Sequence, residues 1–503
     1  MRSAGKITAV SSFLLIAFLG CAPNHPTRIE PTPTQINIGK VSTVAPTLSY
    51  LGQGDDLRPQ FIHDARAFPN ATRYTIQLNV DPSQSQVTGS EQIAYINHSG
   101  APLADLDVRL FPNARAFGGK MSVFDLMVDG KLITPEPVSD GTALRLPLDE
   151  PLLPGKTAFL TMNFQVDVPG ADSGGYAELA LLNGVMALSN AFPFMPVHDQ
   201  SGWRVETSPD YGDQLYGESA FFDVQISAPA GETIVASGTC ENTAPGQWAC
   251  EAGPMRDFYL VLSNRYAVVS QTVDGTTINS YYYSGQELQG KNVLRYAVQS
   301  FQTYSELFGA YPYKELDLAE TPNRASGIEY PGVIAIADRI FGESNELEWV
   351  VAHEVAHQWW YGVVGNDQIK TPWMDESLAQ YSTLMYFEKS AGENIAARLR
   401  ESLFEQPYQQ LKSQGRDQPI GLPVASYTAQ NYTDVIYRKG PLYFDSLRQV
   451  VGDQKFIEIL QQYYSDNRYS IATPQSWLAA VQKVSGDPQM GLYDLWVAGQ
   501  TSP

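Results

Sequence analysis

The sequence predicts a multidomain fold, in which an antiparallel β domain precedes an α+β domain that is mostly helical. The chain has 503 residues, which is more than a single hydrophobic core usually organises. Apolar and polar residues alternate with period two between about residues 70 and 265, and helical spacing replaces this alternation from about residue 290. Apolar residues make up 43% of the chain, which excludes a mainly disordered protein.

The charge balance is strongly acidic. The chain holds 54 Asp and Glu residues against 33 Lys and Arg residues, for a formal net charge of −21. Binding of nucleic-acid phosphates requires a surplus of basic side chains on one face, so we do not expect nucleic acid as a partner. The sequence does not indicate an oligomeric state.

Residues 1–21 have the pattern of a secretory signal peptide. Arg2 and Lys6 give a positive start, and Ile7–Leu19 follows as a mostly apolar, uncharged run that is short for a membrane span. The segment ends in the sequence FLGC at Cys21, which resembles a bacterial lipobox, where cleavage leaves a lipidated cysteine. We therefore expect an exported lipoprotein that the lipid on Cys21 anchors to a membrane, at the cell surface or in the periplasm. An ordinary signal peptide and a cytosolic start that is merely apolar are the alternatives.

Residues 22–60 are expected to form a tether between this anchor and the folded domains. Residues 22–50 contain five prolines and five threonines. Proline favours an extended chain, and a segment of low hydrophobicity cannot build a packed core. The tether would hold the folded domains away from a membrane.

We assign residues 61–265 to the N-terminal β domain, with a saddle-like or sandwich-like arrangement of strands. Tyr74–Val80 and Val87–Tyr95 both alternate between apolar and polar residues, with a turn between them. Cys240 and Cys250 flank a turn-rich stretch that contains Pro and Gly. In an exported protein, these two cysteines are expected to form one local disulfide, and two free buried thiols are the alternative.

Residues 266–503 are assigned to the second domain, in which helical patterns dominate. Thr371 is a candidate cap for one of these helices, Pro372 suits its first turn, and Gly392 can end it. The predicted helices are Asn292–Leu307, Glu346–Val364, Pro372–Ala391, Gln454–Tyr464 and Pro474–Val484.

One of the predicted helices carries the sequence HEVAH at residues 353–357. Residues four positions apart share one face of a helix, so His353 and His357 can bind one metal ion. Glu354 lies beside them and can accept a proton from a metal-bound water. A catalytic zinc usually has three protein ligands and one open position. Glu376, which lies 19 residues after His357, is the candidate third ligand.

These segments together resemble the aminopeptidase N family of zinc metallopeptidases, peptidase family M1, which are gluzincins. HEVAHQWWYGVVGNDQ and PWMDESLAQY carry the two histidines and the later glutamate of that family. Residues 326–330 (SGIEY) resemble its Gly-x-Met-Glu-Asn stretch, and Tyr437–Gly440 (YRKG) resembles its Tyr-x-Lys-Gly segment. The resemblance covers about residues 70–500 and is densest between 320 and 450. It implies a thermolysin-like catalytic domain with one Zn²⁺ per chain.

The resemblance also implies a role for each matching residue. Glu354 would be the general base, and Tyr437 would donate a hydrogen bond to the oxyanion of the tetrahedral intermediate. Glu329 would bind the free α-ammonium of a peptide, and the Gly327 region would pair with the peptide backbone. The expected function is therefore a zinc aminopeptidase that acts on peptides outside the cytoplasm. His/His/Glu ligands also bind other divalent metals, so the sequence does not identify which metal the protein binds in the cell.

The sequence departs from the family pattern at three points. Ile328 and Tyr330 replace the Met and Asn of the amine-binding stretch. Residues 188–193 contain no convincing second Gln or Glu for the substrate amine. We also expect a short form without the helical C-terminal domain that covers the active site in many members. The alternatives are therefore a zinc endopeptidase with an open cleft, a non-catalytic surface binding protein on the same scaffold, and a hydrolase acting on a non-peptide substrate.

Overall fold

The computed structural model of the chain describes residues 54–342 and 344–499. The predicted signal peptide, Cys21 and most of the predicted tether lie outside these residues. No helix within the two described ranges is both long enough and apolar enough to cross a membrane.

The first part of the described chain is built of β-strands. In chain order they are β1 (Arg73–Asp81), β2 (Gln86–Ile96), β3 (Leu103–Arg109), β4 (Lys120–Val128), β5 (Lys131–Leu132), β6 (Glu136–Val138), β7 (Ala143–Leu152), β8 (Thr157–Asp167), β9 (Leu179–Leu182), β10 (Val185–Leu188), β11 (His198–Asp199), β12 (Gly202–Trp203), β13 (Ala220–Ser227), β14 (Thr233–Ala236), β15 (Thr239–Ala244), β16 (Gln247–Met255) and β17 (Leu260–Ser263).

These strands form one large sheet and several smaller ones. The large sheet has eight strands in the order β15-β16-β13-β1-β2-β8-β4-β5, and a second sheet has the order β14-β17-β10-β9. The small sheets have the orders β3-β7-β6 and β11-β12. The prediction of antiparallel pairing is wrong for one pair, because β1 and β13 run parallel. A long connection separates these two strands, and a parallel pair requires such a crossover.

The predicted alternation of apolar and polar residues in β1 corresponds to the burial of one face of the strand. Tyr74, Ile76, Leu78 and Val80 are buried there, so one face of the strand packs on the core. Cys240 and Cys250 lie opposite each other on β15 and β16 and form a disulfide.

The second part of the chain combines a mixed sheet with helices. Its strands are β18 (Tyr266–Val273), β19 (Thr276–Tyr283), β20 (Glu315–Thr321), β21 (Gly327–Tyr330) and β22 (Val333–Ala337), in the order β18-β19-β20-β22-β21. The α-helices are α1 (Asp64–Ala67), which precedes the strands, then α2 (Glu287–Phe308), α3 (Asp338–Phe341), α4 (Ser344–His357), α5 (Glu376–Ala391), α6 (Glu393–Arg400), α7 (Gln406–Ser413), α8 (Ala429–Tyr432), α9 (Gly440–Val451), α10 (Asp453–Asn467), α11 (Pro474–Ser485) and α12 (Met490–Tyr493). Segments Glu401–Glu405, Thr433–Lys439 and Asp494–Ala498 are π-helical. This order of a β-rich part and a helical part confirms the predicted fold class.

Helix α4 is shorter than the sequence predicts. It ends at His357, whereas the apolar pattern continues to Val364. Trp360 pairs with Val364 in a β-bridge, and Tyr361 has a φ of 124°, which no α-helix accommodates. The apolar residues after His357 are therefore buried in a compact loop.

The next helix begins later than predicted. Residues Pro372–Met374 form a 3₁₀ turn, and α5 starts only at Glu376. Its cap is Asp375, whose carboxylate accepts a hydrogen bond of 2.7 Å from the Glu376 amide, so the prediction of Thr371 as the cap is wrong. Gly392 ends the helix as expected, with a φ of 87°.

The end of the predicted tether is part of the folded body. Leu57, which is only 1% exposed, forms a β-bridge with Tyr313. The Arg58 guanidinium donates a hydrogen bond of 2.7 Å to the carbonyl oxygen of Tyr311. Residues 54–60 therefore extend the fold beyond the predicted start of the β domain at residue 61.

Arg256 connects the β-strand part to the loop that follows α4. Its side chain is 2% exposed and donates hydrogen bonds to the carbonyl oxygens of Tyr361 at 2.7 Å and Gly217 at 3.1 Å. It also donates to Val363 at 3.3 Å and Ser470 at 3.2 Å. A single guanidinium thus satisfies buried carbonyl groups from both parts of the chain.

We expect Arg256→Met to lower the free energy of unfolding by more than about 3 kcal/mol, because the buried carbonyl groups lose their donors. Denaturant unfolding followed by circular dichroism measures this change. Arg115→Met is the matched control, because the Arg115 side chain is 89% exposed and forms an ion pair with Asp210 at the surface. Equal unfolding midpoints for the two variants would contradict the assigned role of Arg256.

Candidate active site

Two helices bring together the three predicted metal ligands. His353 and His357 lie one turn apart on α4, and Glu376 is the first residue of α5. The two Nε2 atoms are 3.2 Å apart, and each lies 3.3 Å from Oε2 of Glu376. Ligands at about 2.0–2.1 Å from a tetrahedral zinc are separated by roughly 3.3 Å, so this triangle fits one zinc ion.

The surrounding backbone orients these ligands. Nδ1 of His357 lies 3.0 Å from the carbonyl oxygen of Trp360. Since a carbonyl group only accepts hydrogen bonds, this contact assigns the proton to Nδ1 and leaves Nε2 free for a metal. The capping contact of Asp375 fixes the start of α5 and therefore the position of Glu376.

The buried ligands perturb one another's protonation. Burial favours a raised pKa for Glu376, but the nearby His357 and the hydrogen bonds from both imidazoles lower it below its usual range. Burial lowers the pKa of His353. For His357, burial acts to lower the pKa, but the charges of Glu329 and Glu376 raise it well above its usual value. The buried carboxylates around His357 thus favour a positive charge at this site, which a bound divalent cation would supply.

The predicted general base lies directly against strand β21. A Cβ atom on Gly327 would lie 2.3 Å from Oε1 of Glu354, so only glycine permits this close approach. Oε2 of Glu354 has no hydrogen-bond partner among the described residues. Burial, followed by the charge of Glu329, raises the pKa of Glu354 well above its usual value. The carboxylate is thus desolvated and available to a substrate or water.

Glu329 lies on the same strand and is 7% exposed. Its Oε1 accepts a hydrogen bond of 3.3 Å from Gln368, a residue of the loop after α4. Oxygen atoms of Glu329 and Glu354 lie within 4.8 Å of each other and of a nitrogen of His357. The predicted amine-binding carboxylate is therefore adjacent to the metal ligands.

The β-strand part supplies two further carboxylates that the sequence reasoning missed. Glu178 and Asp213 line the same cavity as Glu329. A carboxylate oxygen of Asp213 lies within 4.8 Å of both Glu329 and Glu376. Desolvation and the charge of Glu329 raise the pKa of Glu178 to about 8. Both residues lie in loops outside residues 188–193 and carry no recognisable sequence motif, so the sequence did not predict them.

Tyr437 reaches the site from a π-helical segment. Tyr432 is the last residue of α8, immediately before this segment, and the rings of Tyr432 and Tyr437 lie 5.8 Å apart. The Tyr437 hydroxyl donates a hydrogen bond to Oε1 of Glu376. The phenol therefore lies beside the metal ligands, as its predicted role requires.

A cavity of about 740 Å³ connects these groups. It is lined by His353, Glu354, Glu376, Tyr437, Glu329 and Gly327, which are the predicted site residues apart from His357. His357 is completely buried and does not line the cavity.

Sequence comparison places this site in a known family. Residues 293–496 match the peptidase family M1 domain. Aminopeptidase M1-C of Oryza sativa subsp. japonica is 26% identical over 270 residues, which are 50% of this chain and 30% of that protein. Aminopeptidase N of Streptomyces lividans is 22% identical over 293 residues, 53% of this chain and 34% of that protein. The chain thus spans about a third of the length of these curated relatives.

Solved structures support the same assignment at the level of the fold. The crystal structure of an M1 zinc metallopeptidase from Deinococcus radiodurans has a TM-score of 0.63 at 19% identity, and the match covers 86% of this chain and 95% of that chain. A mutant of that enzyme with a bound Tyr-Ser-Ala substrate has a TM-score of 0.62 at 18% identity, with the same coverage. Together with the HEVAH motif and the His/His/Glu triangle, these matches support the assignment of residues 293–496 to the aminopeptidase N family, peptidase family M1.

Proposed function

We propose that this protein is a zinc-dependent aminopeptidase that removes residues from the free N-terminus of peptides. The observation that supports this proposal best is the group of carboxylates Glu178, Asp213 and Glu329 next to the metal ligands. None of the three forms an ion pair with a basic side chain of the described residues. A substrate ammonium would supply the missing positive charge, whereas an acylated N-terminus would leave the carboxylates unpaired.

The chain's own residues would bind and activate the reactants around the metal. Zinc, when bound by His353, His357 and Glu376, supplies a Lewis acid for the scissile carbonyl and the attacking water. Glu354 accepts the proton of that water through its free Oε2 and returns it to the leaving amine.

The substrate is positioned by the edge of the sheet and by Tyr437. Strand β21 is the last strand of its sheet, so its outer edge can pair with an extended peptide backbone. The Tyr437 hydroxyl, which is next to Glu376, can turn to donate a hydrogen bond to the developing oxyanion. Glu329, two residues after Gly327 on the same strand, then meets the N-terminus of that peptide.

We expect Glu354→Gln to lower kcat by at least about a hundredfold while zinc remains bound, because only the proton acceptor is lost. His353→Ala should instead lose the zinc together with activity. Peptide hydrolysis and elemental analysis of dialysed protein measure the two effects. Full turnover by the zinc-loaded Glu354→Gln variant would contradict the mechanism.

We expect Glu329→Gln to lower kcat/KM for peptides with a free N-terminus by about ten- to a hundredfold, because one charge-assisted hydrogen bond to the ammonium is lost. Each peptide is compared with its N-acetylated form, and mass spectrometry identifies the products. Glu346→Gln is the control, because Glu346 is an exposed carboxylate that also lines the cavity. Internal cleavage of both forms of each peptide would instead indicate an endopeptidase and remove the assigned role of Glu329.

We also propose that the protein acts outside the cytoplasm as a lipoprotein anchored through Cys21. The proposal is supported by the signal-like residues 1–21, the lipobox-like FLGC and the Pro/Thr-rich segment that follows. Cys21→Ser should move the protein from the membrane fraction to the soluble or unprocessed fraction and abolish labelling by a fatty-acid probe. Unchanged membrane attachment of this variant would reject the anchor.

A further inference from the structure

We propose that Arg438 binds a carboxylate of the substrate beyond the scissile bond, which is either the C-terminal carboxylate of a short peptide or an acidic side chain. This proposal rests on the proposed aminopeptidase function and names a substrate class within it. Arg438 belongs neither to the metal ligands nor to the carboxylates around Glu329, so its role is a separate one.

Acidic side chains dominate the lining of the cavity. Seven lining residues are acidic, and they are Glu178, Asp213, Glu329, Glu346, Glu348, Glu354 and Glu376. Arg438 is the only Lys or Arg among the described residues that line the cavity. Ionised carboxylates repel a substrate carboxylate, whereas a guanidinium forms charge-assisted hydrogen bonds with it. Arg438 is therefore the lining side chain that suits a negatively charged group of the substrate.

Arg438 keeps most of its hydrogen-bonding capacity. Its one hydrogen bond within the described residues runs from the guanidinium to Oδ1 of Asp434, at 2.9 Å. Arg416 pairs with the same carboxylate at 2.8 Å, so one negative charge faces two guanidinium groups. The Arg438 side chain is 44% exposed, and a guanidinium has five N–H donors in total. Arg438 is thus incompletely neutralised and has donors left for a carboxylate.

The position of Arg438 in the chain places it near the path of the peptide. The hydroxyl of Tyr437 donates a hydrogen bond to Glu376, so this π-helical segment reaches the metal ligands. Arg438 is the next residue of the segment, and it forms no ion pair with a lining carboxylate in the described part of the chain. A peptide whose amine is held by Glu329 therefore has its later residues free to meet Arg438.

The length of the peptide decides whether its C-terminal carboxylate reaches Arg438. Each added residue moves this carboxylate by about 3.3–3.6 Å along an extended peptide. A cavity of about 740 Å³ has the size that encloses a small ligand. Only a peptide of a few residues can thus place its amine at Glu329 and its C-terminal carboxylate at Arg438.

Peptides that differ only in the charge of the C-terminus test the proposal with the zinc-loaded protein. Ala-Ala, Ala-Ala-Ala and Ala-Ala-Ala-Ala are each compared with their C-terminal amide, as is an octapeptide that begins with the same residues. We expect kcat/KM of the free acid to exceed that of the amide by about three- to tenfold for at least one short peptide, because the contact is charge-assisted but half-exposed. The octapeptide should show a ratio of about one, because its C-terminal carboxylate lies beyond Arg438.

Variants of Arg438 connect this preference to the guanidinium. Arg438→Gln should lower the ratio of acid to amide to about one, and Arg438→Lys should retain part of it. Arg398→Gln is the matched control, because Arg398 is an exposed residue of α6 outside the cavity lining. This control removes the same charge and should leave the ratio unchanged. An equal fall of the ratio in Arg398→Gln and Arg438→Gln would overturn the proposal.

A second set of peptides identifies the source of the carboxylate. The octapeptide amide is prepared with Glu or Gln at its second or third residue, so that a side chain is its only negative group. A preference for Glu that Arg438→Gln removes assigns the site to acidic side chains. A preference for short free acids that Arg438→Gln removes assigns it to the C-terminal carboxylate. Absence of both preferences, or their persistence in Arg438→Gln, overturns the role of Arg438 but leaves the aminopeptidase intact.

Absence of any cleavage rejects the aminopeptidase, and binding then decides the role of Arg438. Calorimetry measures the binding of the same acids and amides, and of the Glu and Gln octapeptide amides, to zinc-loaded Glu354→Gln, with and without Arg438→Gln. Binding that is about three- to tenfold tighter for either kind of carboxylate, and that Arg438→Gln equalises, supports the proposal. Equal binding throughout overturns it.

Discussion

The meeting of two imidazoles and one carboxylate in a buried site is the interaction on which the rest of the structure depends. His353, His357 and Glu376 lie 3.2–3.3 Å from one another through their ligand atoms and are almost completely buried. Groups of this kind are costly to desolvate unless a counter-charge satisfies them. A bound divalent cation supplies that charge, so the site is electrostatically complete only with its metal.

Several local features of the fold serve to hold this triangle. Helix α4 stops at His357, and the loop that follows returns the Trp360 carbonyl to Nδ1 of that histidine. Asp375 caps α5 and so fixes its first residue, Glu376. Arg256 secures the loop after α4 through buried carbonyl groups. The positions of the ligands are thus determined by backbone hydrogen bonds and not by the ligands alone.

The cavity around this centre is lined by both charged and apolar side chains. The carboxylates of Glu178, Asp213 and Glu329 lie near the metal ligands, and Glu346 and Glu348 of α4 line the cavity beside Trp349. Clustered buried carboxylates favour a positive charge, while exposed apolar surface favours a dehydrated side chain.

The sequence by itself predicted the metal ligands His353, His357 and Glu376, the candidate base Glu354 and the order of the two parts, because these predictions depend on spacing along helices and strands. The amine-binding role of Glu329 was a prediction from the family resemblance. Only the tertiary structure shows that Glu178, Asp213 and Gln368 lie next to Glu329 in the cavity. Their loops are far apart in the chain and have no hydrophobic periodicity from which this proximity could be predicted. The tertiary structure also decided the early end of α4, the parallel pair β1–β13 and the alignment of Tyr432 with Tyr437. Each of these depends on packing between distant segments, which overrides local helical or strand propensity.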